Sequence, residues 1–377
     1  MTLGETQLAV RDTVREFVQS EIAPHTARFE RDGKYPSELF KQLGELGLMG
    51  MMAPASYGGA ELDNVSYVLA LMEVAAGDGA LSTILSIQNS LVVSTILQAG
   101  SEAQQARFLP DLIAGRTIGS FALTETEAGS DAGAIRTKAT RRDGGYCLNG
   151  DKQFITSGRL ASLSIVFAVT DPAAGKRGIS AFLVPTDKAG YSVEKVEHKL
   201  GQHASDTCAL RFEDLFVEEE LQLGTPGSGY ALALGNLEAG RIGIAAQGIG
   251  MAQAALDIAI RYANERQSFG VPIIQHQAVG HRLADLASRL EAARQLVLSA
   301  ASLRDSNEPA LVQASMAKLV ASETAETVVS GAIQTLGGYG YLEEFGLAKI
   351  YRDVRVCQIY EGTSDIQRMV ISRSLRS

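Results

Sequence analysis

The hydrophobic period of this chain changes twice, and that constrains its fold more than any single motif. From Glu5 to Ile22 apolar residues recur at Leu8, Val14, Phe17, Val18 and Ile22, a helical spacing that Pro24 ends. Pro36-Ser37-Glu38 opens a second helix, and Asn64–Ala76, Leu81–Ala99 and Glu102–Ala114 read the same way. Near Ile118 the pattern turns to short β-rich segments: Ala134–Thr140, Tyr146–Leu148, Leu163–Thr170, Ile179–Val184, Tyr191–Val196 and Ala209–Phe216. Asp143-Gly144 and Asn149-Gly150 are hairpin signals between them. After Gly229 long helices return, at Tyr230–Arg266, Gln277–Leu303 and Ala310–Leu336, with a short last piece at Gln367–Leu375. The expected organisation is an all-α domain over 1–117, a β domain over 118–225 and a helical bundle over 226–377. There is no βαβ alternation and no complete G-x-G-x-x-G after a strand, which counts against a Rossmann site.

With 377 residues, 46% hydrophobic and 20% charged, the chain has enough apolar material for several cores. A net charge of -9 and the lack of a basic run argue against a nucleic-acid surface. Cys147, Cys208 and Cys357 are odd in number and widely spaced, as packing thiols in a cytoplasmic protein are. The polar start lacks a signal-peptide core. No apolar stretch is expected to approach the roughly 20 residues of a membrane span. His276 and His281 miss the i, i+4 metal spacing and the other histidines are isolated, so no metal site is expected.

Five stretches carry chemistry. Phe121–Asp131, at the α-to-β handover, joins an aromatic ring, hydroxyls, acids and a glycine, and could hydrogen-bond a polar heteroaromatic ring or form Asx and Ser/Thr turns. In Lys152–Gly158, Phe154 and Thr156 are two apart on a strand and point to one face, to grip a flat ligand or to pack a sheet. Arg266–Gly270 and Gln334–Gly340 are glycine-containing helix ends, suited to an anion or to plain capping. Tyr360-Glu361-Gly362 sets a lone carboxylate between an aromatic and a glycine, as a tuned base or as a surface turn.

Together, in this order, these stretches closely resemble the acyl-CoA dehydrogenase family over nearly the whole chain. The resemblance implies an N-terminal α-helical domain, a middle β-barrel-like domain and a C-terminal four-helix bundle, with FAD between the last two. It implies removal of the α proton of an acyl-CoA thioester by a carboxylate, hydride transfer from the β carbon to flavin N5, and a trans-2-enoyl-CoA product. It implies electron transfer to electron-transferring flavoprotein, and a homotetramer built as a dimer of dimers. By position, Glu361 matches the catalytic base. Phe121, Leu123, Thr124, Phe154 and Thr156 match residues around the isoalloxazine, and Ser130 one between flavin and CoA. Arg266, Ser268, Phe269, Gln334, Gly337 and Gly338 match residues reaching the FAD of a neighbouring subunit. Thr363 and Asp365 match the loop that holds FAD after the base. Tyr360 and Gly362 are expected to pack on the acyl thioester, and Glu238 and Arg241 to lie near the CoA pantetheine and the base.

The family places its base at one of two positions. Here one is Gly240 and the other Glu361, which assigns the chain to the short-, medium- or short-branched-chain type. Thr126, His203, Asp365 and Glu238 depart from the residues usual at their positions and bear on substrate detail. Val92 and Val93 are expected to shorten the acyl cavity toward four to six carbons. The same fold leaves open branched or carrier-protein-bound acyl substrates, oxygen as acceptor, or a non-catalytic helical ligand-binding protein.

Overall fold

The computed structural model describes residues 2–376. Met1 and Ser377, the outer ends of the first and last expected domains, lie outside the described residues. Helices fill the first segment: α1 (Glu5–Phe17), α2 (Thr26–Asp32), α3 (Ser37–Glu45), α4 (Asn64–Gly77), α5 (Gly79–Ser86), α6 (Ser94–Ala99) and α7 (Glu102–Ile113). Asp63 caps α4 through the Ser66 N–H, and Asp78 caps α5 through the N–H groups of Ala80 and Leu81. A π-helical turn, Ile87–Val93, joins α5 to α6.

Strands follow: β1 (Gly119–Ala122), β2 (Lys138–Arg142), β3 (Gly145–Thr156), β4 (Leu163–Val169), β5 (Ile179–Pro185), β6 (Tyr191–Val196), β7 (Thr207–Glu218) and β8 (Gln222–Leu223). The hydrogen-bonded path runs β6-β7-β3-β2-β4-β5-β8, with β1 joining β4 in parallel. Asp143-Gly144 makes the β2–β3 hairpin as expected, with Gly144 at φ 77°. Asn149-Gly150 does not turn the chain. It lies inside β3, where the register against β7 shifts between Leu148 and Gly150. The long partner β7 keeps β3 extended through the turn-prone pair, which becomes a bulge.

The last segment holds α8 (Gly229–Glu265), the two-residue ribbon strands β9 (Gln267–Ser268) and β10 (Val271–Pro272), α9 (Gln277–Asp305), α10 (Leu311–Leu336), α11 (Leu347–Val354) and α12 (Ser364–Ser374). Among the described residues the buried hydrophobics form two cores. One runs from α1 through α4 and α5 into α8, α9 and α10, because α4 packs on both α8 and α9. The other joins the sheet to Leu91, Val92, Ile96, Leu109 and Leu112. Small residues allow the first to close: Gly250 of α8 sits against the Met72 carbonyl of α4, where a side chain would collide.

Two helical runs, Gly79–Ala99 and Gly229–Glu265, are long and apolar enough to cross a membrane by length and composition. This corrects the expectation that no stretch is. In both, most of the apolar window is buried inside the protein, as for core helices covered on several sides.

Candidate active site

The loop between α11 and α12 is held in an unusual backbone state. Glu361 takes φ 54° and Gly362 φ 85°. A left-handed glutamate is costly and persists only where its surroundings fix it. Here they do. Lys318 of α10 donates from Nζ to the Gly362 carbonyl at 2.8 Å. Gln367 Nε2 donates to the same carbonyl at 2.8 Å and to the Glu361 carbonyl at 3.2 Å. Thr363 caps α12 by accepting from the Ile366 N–H. On the other side, the Tyr360 hydroxyl donates to Gln247 Oε1 of α8, and Gln247 Nε2 donates to Thr83 Oγ1 at 2.5 Å and the Gly79 carbonyl at 2.7 Å. Thr83 donates in turn to Gln202 of the sheet domain, 2.7 Å. Residues of all three segments thus brace the turn that carries one carboxylate.

That carboxylate is pressed against α8. A Cβ on Gly240 would lie 2.5 Å from Glu361 Oε2, so only glycine leaves room there. Although Glu361 as a residue is only partly buried, its Oε2 is sealed from water and has no hydrogen-bond partner among the described residues. Burial pushes its pKa up to about 7, against the opposing pull of Arg241 and then Lys318. Arg241 is 8% exposed, and its Nε and Nη1 are likewise unpartnered among the described residues. Burial lowers its pKa, offset by Glu361 and Glu238. The Glu238 carboxylate is 3.4 Å from Arg304 Nη1 of α9.

The two stretches near β1 and β3 are joined by a buried ion pair. Lys152 Nζ, wholly buried, lies 2.8 Å from Glu125 Oε1 and donates to the Leu123 carbonyl at 3.0 Å. Glu125 also accepts from the N–H groups of Arg136 and Thr137 and from the Thr137 hydroxyl. Burial alone would raise the Glu125 carboxyl, but Lys152 and these donors together hold it below its ordinary value. The Gln153 N–H donates to the Thr124 carbonyl, 2.9 Å, so Leu123 and Thr124 are pinned to β3 by two bonds. Phe121 packs on Phe167, ring centroids 4.8 Å apart, and Ser130 is exposed. A second bulge, between Lys152 and Ile155, puts Phe154 at φ 61° and leaves its ring 63% exposed. The bulge breaks the simple alternation from which Phe154 and Thr156 were expected to share a face. Thr156 stays in register with Thr207.

A third group forms at the far end of α8. Arg266, Ser268, Gly337 and Gly338 line one cavity of about 460 Å³. Gly337, at φ 61°, and Gly338 have open space where a side chain would stand. Phe269 is 96% exposed at φ 52°, and Gln334 and Asp365 are exposed. Neither Val92 nor Val93 belongs to the core around Glu361. Both lie in the core beside the sheet, and Val92 faces Gly119 of β1.

Sequence reasoning singled out Glu361 but not Lys318 or Gln367 as its supports. Lys318 had a readable signal: it is the one cation among Ala314, Ala317, Ala321 and Ala325 on the buried face of α10.

The chain matches the acyl-CoA dehydrogenase N-terminal domain over residues 4–116, the middle domain over 120–215 and the C-terminal domain over 227–376. It is 44% identical to the short-chain specific acyl-CoA dehydrogenase, mitochondrial, of Rattus norvegicus, covering 100% of this chain and 92% of that protein. It is 42% identical to the caffeyl-CoA reductase-Etf complex subunit CarC of Acetobacterium woodii, covering 100% and 99%. The butyryl-CoA dehydrogenase structure from Megasphaera elsdenii superposes with a TM-score of 0.97 at 40% identity, covering all of both chains.

Proposed function

The chain belongs to the acyl-CoA dehydrogenase family, and from that premise we propose that it oxidises short-chain acyl-CoA thioesters to trans-2-enoyl-CoA with Glu361 as the base. It is an oxidoreductase with FAD as cofactor, as its family is. One observation carries the assignment of the base: a buried carboxylate oxygen without a partner among the described residues, on a left-handed turn that Lys318 and Gln367 hold against Gly240.

An α C–H beside a thioester is a weak acid, so the base must wait ionised, close and shielded from water. A pKa near 7 lets Glu361 be ionised at neutral pH and still take a proton. The proton goes from the α carbon to a Glu361 carboxylate oxygen. Among the described residues the Glu361 N–H has no acceptor, so it is available to polarise the thioester carbonyl as charge develops there. Arg241 and Lys318, both buried, keep the base from rising further. Protonated Glu361 beside them then leaves two buried cations facing a neutral group, which favours release of the proton after turnover.

The surfaces present fit FAD. Phe154 offers an exposed ring beside Leu123 and Thr124, whose backbone is pinned in place. The Arg266, Ser268, Gly337 and Gly338 cavity offers a cation and unobstructed backbone for a pyrophosphate. Bound FAD supplies the hydride acceptor. Electron-transferring flavoprotein is the proposed electron acceptor, supported by the likeness to a subunit of an Etf complex. A homotetramer is proposed as the assembly, since Phe269 and Gln334 match residues of the family that reach a neighbouring subunit's cofactor.

The test is anaerobic titration of the flavin-loaded protein with butyryl-CoA, following the visible flavin band. Bleaching that Glu361→Gln abolishes, with flavin still bound, is the expected result. Bleaching that survives in the variant would remove Glu361 from the role of base.

A further inference from the structure

The left-handed state of Glu361 has a counterpart in the sheet domain. Gln202, in the loop between β6 and β7, takes φ 53° and is 4% exposed. A non-glycine residue in that state is costly and persists only where its surroundings fix it. Gly201 lets the loop lie on α11, because a Cβ there would stand 2.5 Å from the Arg352 carbonyl carbon. The Gln202 N–H donates to Asp353 Oδ1, and Gln202 Nε2 donates to the Asp353 carbonyl at 3.2 Å. Asp353 is itself anchored. Its Oδ2 accepts from Lys349 Nζ at 2.5 Å, and Lys349 lies 3.5 Å from Asp78, the cap of α5. Asp78 and Asp353 are each 1% exposed. A buried lysine between two buried carboxylates thus backs the Gln202 turn.

From Gln202 a chain of hydrogen bonds reaches the residue before Glu361, and the amides fix its direction. Gln247 Nε2 faces the Gly79 carbonyl, a pure acceptor, at 2.7 Å, which leaves Gln247 Oε1 for the Tyr360 hydroxyl. Gln202 Nε2 faces the Asp353 carbonyl, which leaves Gln202 Oε1 for Thr83. Tyr360 therefore donates to Gln247, Gln247 to Thr83 at 2.5 Å, and Thr83 to Gln202 at 2.7 Å. Thr83 is 2% exposed and Gln247 fully buried, so a broken link has no bulk water to replace it. The one phenolic proton of Tyr360 is committed to Gln247. Glu361 Oε2 stays without a partner among the described residues.

We infer that Gln202 is a positioning residue for the proton step: through Thr83 and Gln247 it holds Tyr360, and with it the Glu361 turn, in the arrangement that takes the α proton. The inference rests on Glu361 being the base. The physical link is the peptide bond between Tyr360 and Glu361. That bond is planar, so the setting of Tyr360 fixes the direction of the Glu361 N–H. The same setting fixes where the left-handed turn begins, and hence where the carboxylate points. Lys318 and Gln367 hold the turn from the far side, at Gly362, and leave its near side to this chain.

A double-mutant cycle tests the role. Flavin-loaded wild type, Gln202→Met, Thr83→Val and Thr83→Ser are assayed with butyryl-CoA, each alone and combined with Tyr360→Phe. Gln202→Met is expected to lower kcat ~10-fold or more with a smaller change in KM, as a small misplacement of the base does. Thr83→Val keeps the shape, cuts the chain at its middle and is expected to do the same. Thr83→Ser restores the hydroxyl and is expected to recover most of the rate. In the Tyr360→Phe background Gln202→Met is expected to cost little more, because the link it acts through is already cut. A merely structural Gln202 would lower kcat by the same factor in both backgrounds. Thr83→Val decides the matter if Gln202→Met does not fold. An unchanged kcat in a folded variant, or the same loss with and without Tyr360→Phe, would overturn the inference and leave the dehydrogenase reading standing. Oxidation that survives Glu361→Gln, or no oxidation of any thioester by wild type, would overturn the inference together with the reading it rests on.

Discussion

Replacing Glu361, the proposed base, should make the protein more stable while it removes catalysis, and the gain should depend on pH in a defined way. Glu361 has an ordinary value of 4.5 and is raised to about 7 in the folded chain, by burial outweighing Arg241 and Lys318. Below pH 4.5 the group is protonated in both folded and unfolded states and contributes nothing. Between 4.5 and about 7 the folded chain binds more protons than the unfolded one, so stability falls as pH rises. Above about 7 the loss is complete. At 1.36 kcal/mol per pKa unit, the shift corresponds to about 3 kcal/mol. Glu361→Gln keeps the shape and removes the titration. Urea unfolding of wild type and variant, measured without flavin at pH 4.5, 6 and 8, checks this. The variant's advantage should grow from near zero to about 3 kcal/mol across that range. An advantage that is constant with pH, or that grows toward acid, would refute the burial argument. The unpartnered Oε2 would then have a donor in solution that keeps it ionised.

The catalytic rate should follow the same titration: kcat/KM for butyryl-CoA rises with pH around 7 as Glu361 ionises, and Lys318→Met moves the midpoint to higher pH, because losing the buried cation favours the neutral carboxyl. An unmoved midpoint in Lys318→Met would reduce Lys318 to a prop for the loop. Gly240→Ala puts a methyl 2.5 Å from Oε2 and should lower kcat by about 100-fold with a smaller change in KM, read from steady-state kinetics. Lys152→Met leaves Glu125 buried without its cation and should cost about 3–5 kcal/mol in denaturant unfolding. Lys152→Arg, which keeps the charge, should recover part of that.

The α, β, α order and the extents of the long helices were legible in the chain, because each is written locally, and Glu361 stood out there as a candidate. Helical and strand periods, a proline stop or a glycine after a carboxylate need no partner to be read. The bulges in β3 were not legible. Asn149-Gly150 is a turn signal that β7 overrides by keeping β3 extended, and Phe154 gains its exposure from a register shift made against that same strand. The number of cores was not legible either, since it depends on α4 packing across to α8 and α9. The site divides the same way. Sequence pointed to the carboxylate, the aromatic rings and the glycine-rich helix ends, each as one of two readings. Only tertiary structure set Lys318 and Gln367 under the Glu361 turn and Gly240 against its oxygen. Those residues come from α8, α10 and α12, spread over more than a hundred positions of chain. Burial without a partner, which raises the pKa of an ordinary carboxyl, is a property of the space they close and of no one segment of the chain.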